Sequence, residues 1–213
     1  MLNDSLIDQL TLDLKPVRRR SAAGDGLVIG GICLVELALF LLMGAMRPDM
    51  QAAMHHPSLW WKLVSLGLIA AVSGMTAVVS FHPAGSPRRG VQLTLAIVSI
   101  CLAVGWGLNS ARAGWSSVDA RLDWRHGVEC LYKMVLLALP VFMGLAILMQ
   151  RAAPTDRQGT AWSIGIASAA WGAFVFVFTC PFDDPLYIAF WYTATCSLIA
   201  VCGRLLLPIL SRW

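Results

Sequence analysis

Residues 128–149, VECLYKMVLLALPVFMGLAILM, decide the fold. A helix needs roughly 20 predominantly apolar residues to cross a hydrocarbon layer about 30 Å thick, and this stretch supplies them. Further apolar runs of similar length lie near 26–46, 59–81, 90–108, 160–180 and 186–207. Together they take up most of the 213 residues, of which 58% are hydrophobic and only 13% charged. Mean hydropathy is +0.69, and soluble domains carry about 25% charged residues. The reading is an all-α integral membrane protein, a six-helix transmembrane bundle over 26–213, with no room for a soluble catalytic domain. The first run is too long for a signal-peptide core and lacks a small-residue cleavage site, so it reads as an uncleaved helix.

Lys and Arg in the connections orient the bundle. With six spans both ends share one side, which collects Lys15, Arg18, Arg19, Arg20, Arg88, Arg89, Arg151, Arg157, Arg204 and Arg212. The other side holds Arg47, Lys62, Arg112, Arg121, Arg125 and Lys133. Both termini are therefore expected in the cytoplasm, and the net charge of +4 reflects this asymmetry rather than direct binding of nucleic acid. Trp60, Trp61, Trp106, Trp115, Trp124, Trp191 and Tyr192 fall at the outer ends, where aromatic rings favour the headgroup layer.

Residues 1–25 are the one sizeable cytoplasmic segment. Leu6, Leu10, Leu14 and Val17 recur at helical spacing beside Ile7, with Asp4, Asp8 and Asp13 on other faces. The pattern predicts an amphipathic helix of about three turns up to Pro16, because proline restricts the residue before it. So short a helix needs a surface to bury its stripe. Membrane-surface helices carry Lys or Arg on the polar face; the aspartates here favour a protein partner.

Of six cysteines, Cys130 and Cys180 lie toward the outer ends of consecutive spans, at matched depth if those spans are antiparallel. A disulfide further requires the two Cα atoms to come within about 7 Å. Such a pair can be a structural bridge, can cycle between dithiol and disulfide, or can bind a soft metal transiently through its thiolates. His126, Glu129, Asp183 and Asp184 are near enough in sequence to tune it. Cys33, Cys101, Cys196 and Cys202 lie within spans and read as small hydrophobes. Small residues on the fifth span, Gly165, Ala169 and Ala173 with Ser168 and Gly172 beside them, favour close helix packing. Glu36 sits near the middle of the first span, where an ionisable group is a functional candidate or a protonated, hydrogen-bonded acid. No P-loop, GxSxG, HExxH or CxxC motif is present, and nothing calls for a cofactor. The missing CxxC weighs against a membrane thiol oxidoreductase working through Cys130 and Cys180, and a lone Glu36 against a transporter.

Five stretches stand out: LTLDLKPVRR near the N-terminus, ECL at the fourth span, RAAPTDRQGTAWSIGIASAAWG, CPFDDPLYIAFWY and a final SRW. Together they resemble the NrsF-type membrane-integral anti-sigma factors, negative regulators of extracytoplasmic-function sigma factors. The resemblance implies a regulator of the bacterial inner membrane, not an enzyme. Its N-terminal segment, here Leu6, Leu10, Asp13, Leu14, Pro16 and Val17, would hold a sigma factor away from RNA polymerase. Cys130 and Cys180 would sense oxidants or heavy metals, with His126, Glu129, Asp183 and Asp184 as tuners.

Overall fold

A computed structural model describes residues 21–82, 85–110, 124–152, 154–182 and 184–210. Among them the chain is helical, with no strand. The elements are α1 (Ala22–Leu42), the single turn α2 (Met50–Ala53), α3 (Pro57–Val79), α4 (Pro87–Ser110), α5 (Trp124–Gln150), α6 (Arg157–Phe176) and α7 (Pro185–Leu210). All but α2 are long and apolar enough to cross a membrane.

The helix ends follow local chemistry. Ser21 opens α1 by accepting a hydrogen bond from the Gly24 amide, and Asp156 opens α6 the same way through Gly159. These caps satisfy amides that have no partner within the helix. Proline begins α3, α4 and α7, where its missing N–H costs nothing. Beyond α1, Gly44 adopts φ +66°, a conformation open to glycine but strained for other residues. The first span thus begins at Ala22, four residues before the expected boundary at 26.

The core is organised around α6, which packs against α3, α5 and α7 and is far more enclosed than the other spans. Its small residues permit this. A Cβ on Gly165 would stand 2.8 Å from the Ala200 Cα of α7, and one on Gly172 would stand 2.8 Å from the Met134 carbonyl oxygen of α5. The stripe expected on this span is therefore a two-sided seam, with Gly165 against α7 and Gly172 against α5. On α7 the buried face repeats every fourth residue: Tyr187, Trp191, Thr195, Ile199, Gly203 and Leu207.

Contacts divide the bundle into two ends. At one end the start of α6 meets the end of α3 through Ser80 and Ser163, and the Arg204 guanidinium of α7 lies 5.6 Å from the Trp162 ring centroid. At the other end the α1–α3 connection, the starts of α3, α5 and α7, and the end of α6 gather around Cys130 and Cys180. Between them, Trp171 donates to Glu36 Oε2 at 2.9 Å, while Glu36 Oε1 is buried without a hydrogen-bond partner. This tie between α1 and α6 matches the hydrogen-bonded alternative for that acid.

Candidate functional site: a buried thiol pair

The site begins where α6 stops. Its last helical residue is Phe176, and Val177, Phe178 and Thr179 close the end with amide bonds to carbonyls three residues back. Such tightening is usual at helix termini. Cys180 thus lies four residues past the helix rather than closing it. The connection from α1 holds this tail in place. The Arg47 amide donates to the Phe178 carbonyl at 2.9 Å, the Thr179 hydroxyl donates to the Ala45 carbonyl at 2.9 Å, and Arg47 Nη1 donates to the Cys180 carbonyl at 3.2 Å. Asp49 grips the same guanidinium through two bonds of 2.6 and 2.7 Å. The hydrogen bonds from Arg47 hold the Asp49 carboxyl below its ordinary range.

Cys130, one turn and a half into α5, faces this tail. Its side chain and that of Cys180 belong to one buried cluster, and all six cysteines of the chain are unbridged. Both members are buried, Cys130 with 5% and Cys180 with 0% of its surface exposed. The Tyr187 hydroxyl meets Cys130 Sγ at 3.1 Å, and the Tyr192 hydroxyl of the same helix is buried in this cluster without a hydrogen-bond partner. On the far side of Cys180, its Sγ lies 3.8 Å from the Phe182 carbonyl oxygen, which also accepts a hydrogen bond from the buried Lys62 ammonium of α3. The neighbouring Cys130 thiol first, and then the Lys62 charge, pull the Cys180 thiol below its ordinary range. Burial works in the opposite direction and is outweighed.

Aromatic rings enclose the sulfurs. Phe182 stacks on Tyr187 at 4.7 Å between centroids, and the exposed His126 ring meets Phe182 edge-on at 5.3 Å. Trp191 packs flat over Gly127, where a Cβ would sit 2.0 Å from the indole. Water is thereby kept from the pair, which strengthens the electrostatic influence of Lys62 and the hydroxyls.

Sequence reasoning and geometry agree unevenly for the tuning residues. His126 packs edge-on against Phe182. Glu129 is exposed and bonded to Lys133 at 2.7 Å. Asp184 accepts from the Leu186 amide at 3.0 Å, in the first turn of α7. Asp183 and the N-terminal residues Leu6, Leu10, Asp13, Leu14, Pro16 and Val17 lie outside the described residues. The groups that actually surround the thiols are Lys62, Tyr187 and Tyr192, with Arg47 on the Cys180 backbone. Trp191 and Tyr192 are each 4% exposed and belong to the core of this site, not to an interfacial belt; Trp60 and Trp124, at 56% and 66%, do point outward. The spacing of four from Tyr187 to Trp191 to Thr195 was the available signal.

Among the described residues, no group of three or more His, Cys, Asp or Glu side chains could hold a metal ion. A soft cation here would meet two thiolates and little else. The arrangement can form a disulfide, capture a thiophilic ion between two sulfurs, or hold the tails of α5 and α6 together through hydrogen bonds.

The family described as negative regulator of sigma F matches residues 10–213. A curated relative from Caulobacter vibrioides (strain NA1000 / CB15N), named anti-sigma-F factor NrsF, is 28% identical over the full length of both chains. Another from Azospira oryzae, named probable anti-sigma-F factor NrsF, is 25% identical, again over both full lengths. Proteins so named are regulators rather than enzymes. No solved structure matches the chain. By a match that runs from the N-terminal segment through both cysteines to the last residue, the chain belongs to the family of negative regulators of sigma F.

Proposed function

We propose that this protein is a multi-pass anti-sigma factor of the bacterial inner membrane that holds an extracytoplasmic-function sigma factor through its cytoplasmic N-terminal segment. The leucine stripe of that segment, Leu6, Leu10 and Leu14 with Val17, docks in an apolar groove of the sigma factor, a helix-in-groove mode of binding. Release follows a change of state at Cys130 and Cys180 on the periplasmic side, caused by an oxidant or a heavy metal. The observation that carries this reading is the burial of both thiols in one cluster. That cluster joins α5 to the tail of α6 at the bundle end opposite Ser21, where the N-terminal segment enters α1.

The mechanism needs two arrangements of the helices and a signal that favours one of them. Bridging or metal capture draws the Cys180 tail and α5 into a fixed geometry, and α6 carries the change along its glycine seam to the other end. A swing from 1:99 to 99:1 occupancy takes about 5.5 kcal/mol of differential stabilisation. Loss of two or three leucine contacts supplies that, at roughly 1.5–3 kcal/mol for each side chain buried. The lipid bilayer is the second partner, and DNA is contacted only by the sigma factor's own complex.

The test is affinity purification from solubilised membranes of the full-length chain and of a chain lacking residues 2–20. Recovery of a sigma factor with the full-length chain alone supports the reading. Equal recovery with both chains, or recovery with neither, refutes the role of the segment.

A further inference from the structure

Resting on the reading of Cys130 and Cys180 as the signalling pair, we propose that Lys62 is a positioning residue that makes the two thiols unequal: Cys180 meets an electrophilic signal first as a thiolate, and Cys130 is the proton-carrying partner that closes the bridge. The asymmetry lies in where the cations sit. The Lys62 ammonium is hydrogen-bonded to the Phe182 carbonyl oxygen, which lies 3.8 Å from the Cys180 sulfur, so a buried cation stands beside that buried thiol. Arg47 adds a second buried cation on the Cys180 carbonyl, 3.2 Å away, although Asp49 balances much of its charge. The cation nearest Cys130 in sequence, Lys133, is turned to the surface and bonded to Glu129. What Cys130 has instead is the Tyr187 hydroxyl at 3.1 Å.

The titratable and charged groups around Cys180 come from every neighbouring element. They are Lys62 from α3, Arg47 and Asp49 from the α1–α3 connection, and Cys130, His126, Glu129 and Lys133 from α5. Asp184, Tyr187, Tyr192 and Cys196 come from α7 and the segment leading into it. Among them, Lys62 is a cation held on the carbonyl oxygen that lies beside the sulfur. A thiolate is stabilised by an adjacent ammonium, and the thiolate is the nucleophile.

With a hydroperoxide as the electrophile, the Cys180 sulfur attacks the terminal oxygen and the O–O bond breaks. Cys180 becomes a sulfenic acid, and the departing alkoxide takes up the proton that Cys180 had lost, leaving as the alcohol. The Cys130 sulfur then attacks the Cys180 sulfur, the S–O bond breaks, and hydroxide leaves as water with the Cys130 proton. Two thiols give up two electrons and one hydroperoxide is reduced.

The test uses the full chain in detergent with Cys33, Cys101, Cys196 and Cys202 replaced by Ala, and follows thiolate absorbance against pH. One thiolate should form with a midpoint below that of an ordinary thiol. It should vanish in Cys180→Ser and persist in Cys130→Ser, whose hydroxyl still donates. Lys62→Met should raise the midpoint by a unit or more, a tenfold loss of thiolate at a fixed pH below it, and Lys62→Arg should restore it. An unmoved midpoint in folded Lys62→Met, or a thiolate that disappears with Cys130→Ser and survives Cys180→Ser, overturns the proposal. Trapping with dimedone after a hydroperoxide pulse, read by peptide mass spectrometry, needs no change at Lys62: an adduct on Cys180 in Cys130→Ser is expected. An adduct on Cys130 in Cys180→Ser, or no adduct in either, overturns the assignment. Sigma-factor retention enters none of these readouts, so a failure of the signalling reading in cells is distinguishable from a failure here.

Discussion

Gly172→Ala should uncouple the thiol pair without touching either cysteine. The new Cβ would lie 2.8 Å from the Met134 carbonyl oxygen, 2.9 Å from the Ala138 amide nitrogen and 3.0 Å from the Ala138 Cβ. Two of those atoms are helix backbone, so they yield only if α5 moves as a body. Ordinary contact between such atoms needs about 3.5–4.0 Å, which sets the displacement of α5 from α6 at roughly 0.5–1 Å. Met134 is one turn along α5 from Cys130, about 6 Å at the rise of a helix, so Cys130 moves with it. The tail carrying Cys180 stays, because Arg47 and Thr179 tie it to the α1 connection. A disulfide tolerates Cβ separations of about 3.5–4.5 Å, and the displacement is as large as that whole window. Overpacking of this kind destabilises by about 1–3 kcal/mol. The assay is the rate of oxidant-driven bridging between Cys130 and Cys180 in a chain with the other four cysteines replaced by Ala. A slowing of at least about fivefold is expected, the factor that 1 kcal/mol gives. Gly30→Ala, where nothing stands within 4 Å, is the control. An unchanged rate in Gly172→Ala, or equal slowing in both variants, would refute the argument that the seam sets the thiol contact.

Gly127→Ala should expel the Trp191 indole, since the added carbon would fall 2.0 Å from it; an opened site would then show as faster maleimide labelling of Cys130, and protection equal to wild type would contradict the packing argument. Arg47→Met removes the bond to the Cys180 carbonyl and should lower thermal stability in detergent by about 1.5–3 kcal/mol, the range for hydrogen bonds to charged groups. Asp49→Asn, on the exposed partner, should leave the same melting measurement close to wild type, because solvent screens an exposed ion pair. Leu10→Asp should abolish recovery of the sigma factor while membrane insertion, scored by carbonate extraction, stays intact.

The six candidate spans were legible because length and hydropathy alone determine whether a segment can cross a bilayer, and matched depth on consecutive helices put Cys130 and Cys180 at one end of the bundle, where they share a buried cluster. Which face of each span turns inward was harder to read. In a membrane bundle leucines face lipid as readily as core, so the inward face is marked by small residues and regular spacing rather than by apolarity. Gly165 and Gly172 carried that mark; the repeat from Tyr187 to Leu207 carried it too, but its aromatic members imitate an interfacial belt. The end of α6 was misplaced because 177–180 are as apolar as the helix before them, while their course is set by Ala45 and Arg47, more than a hundred residues earlier. Lys62 and Arg47 were equally hidden. As flanking cations they serve a topology count, and only the folded connection shows them buried against backbone carbonyls beside Cys180.

In the proposed mechanism the state of Cys130 and Cys180 governs how firmly the N-terminal segment holds a sigma factor. The most direct measurement is the affinity of the purified full-length chain for its sigma factor with the pair reduced and with the pair bridged, alongside Cys130→Ser under the same two treatments. The account predicts at least a tenfold difference between the two states of the wild-type chain and none in Cys130→Ser. Equal affinity in both states, with binding still dependent on residues 2–20, would contradict it.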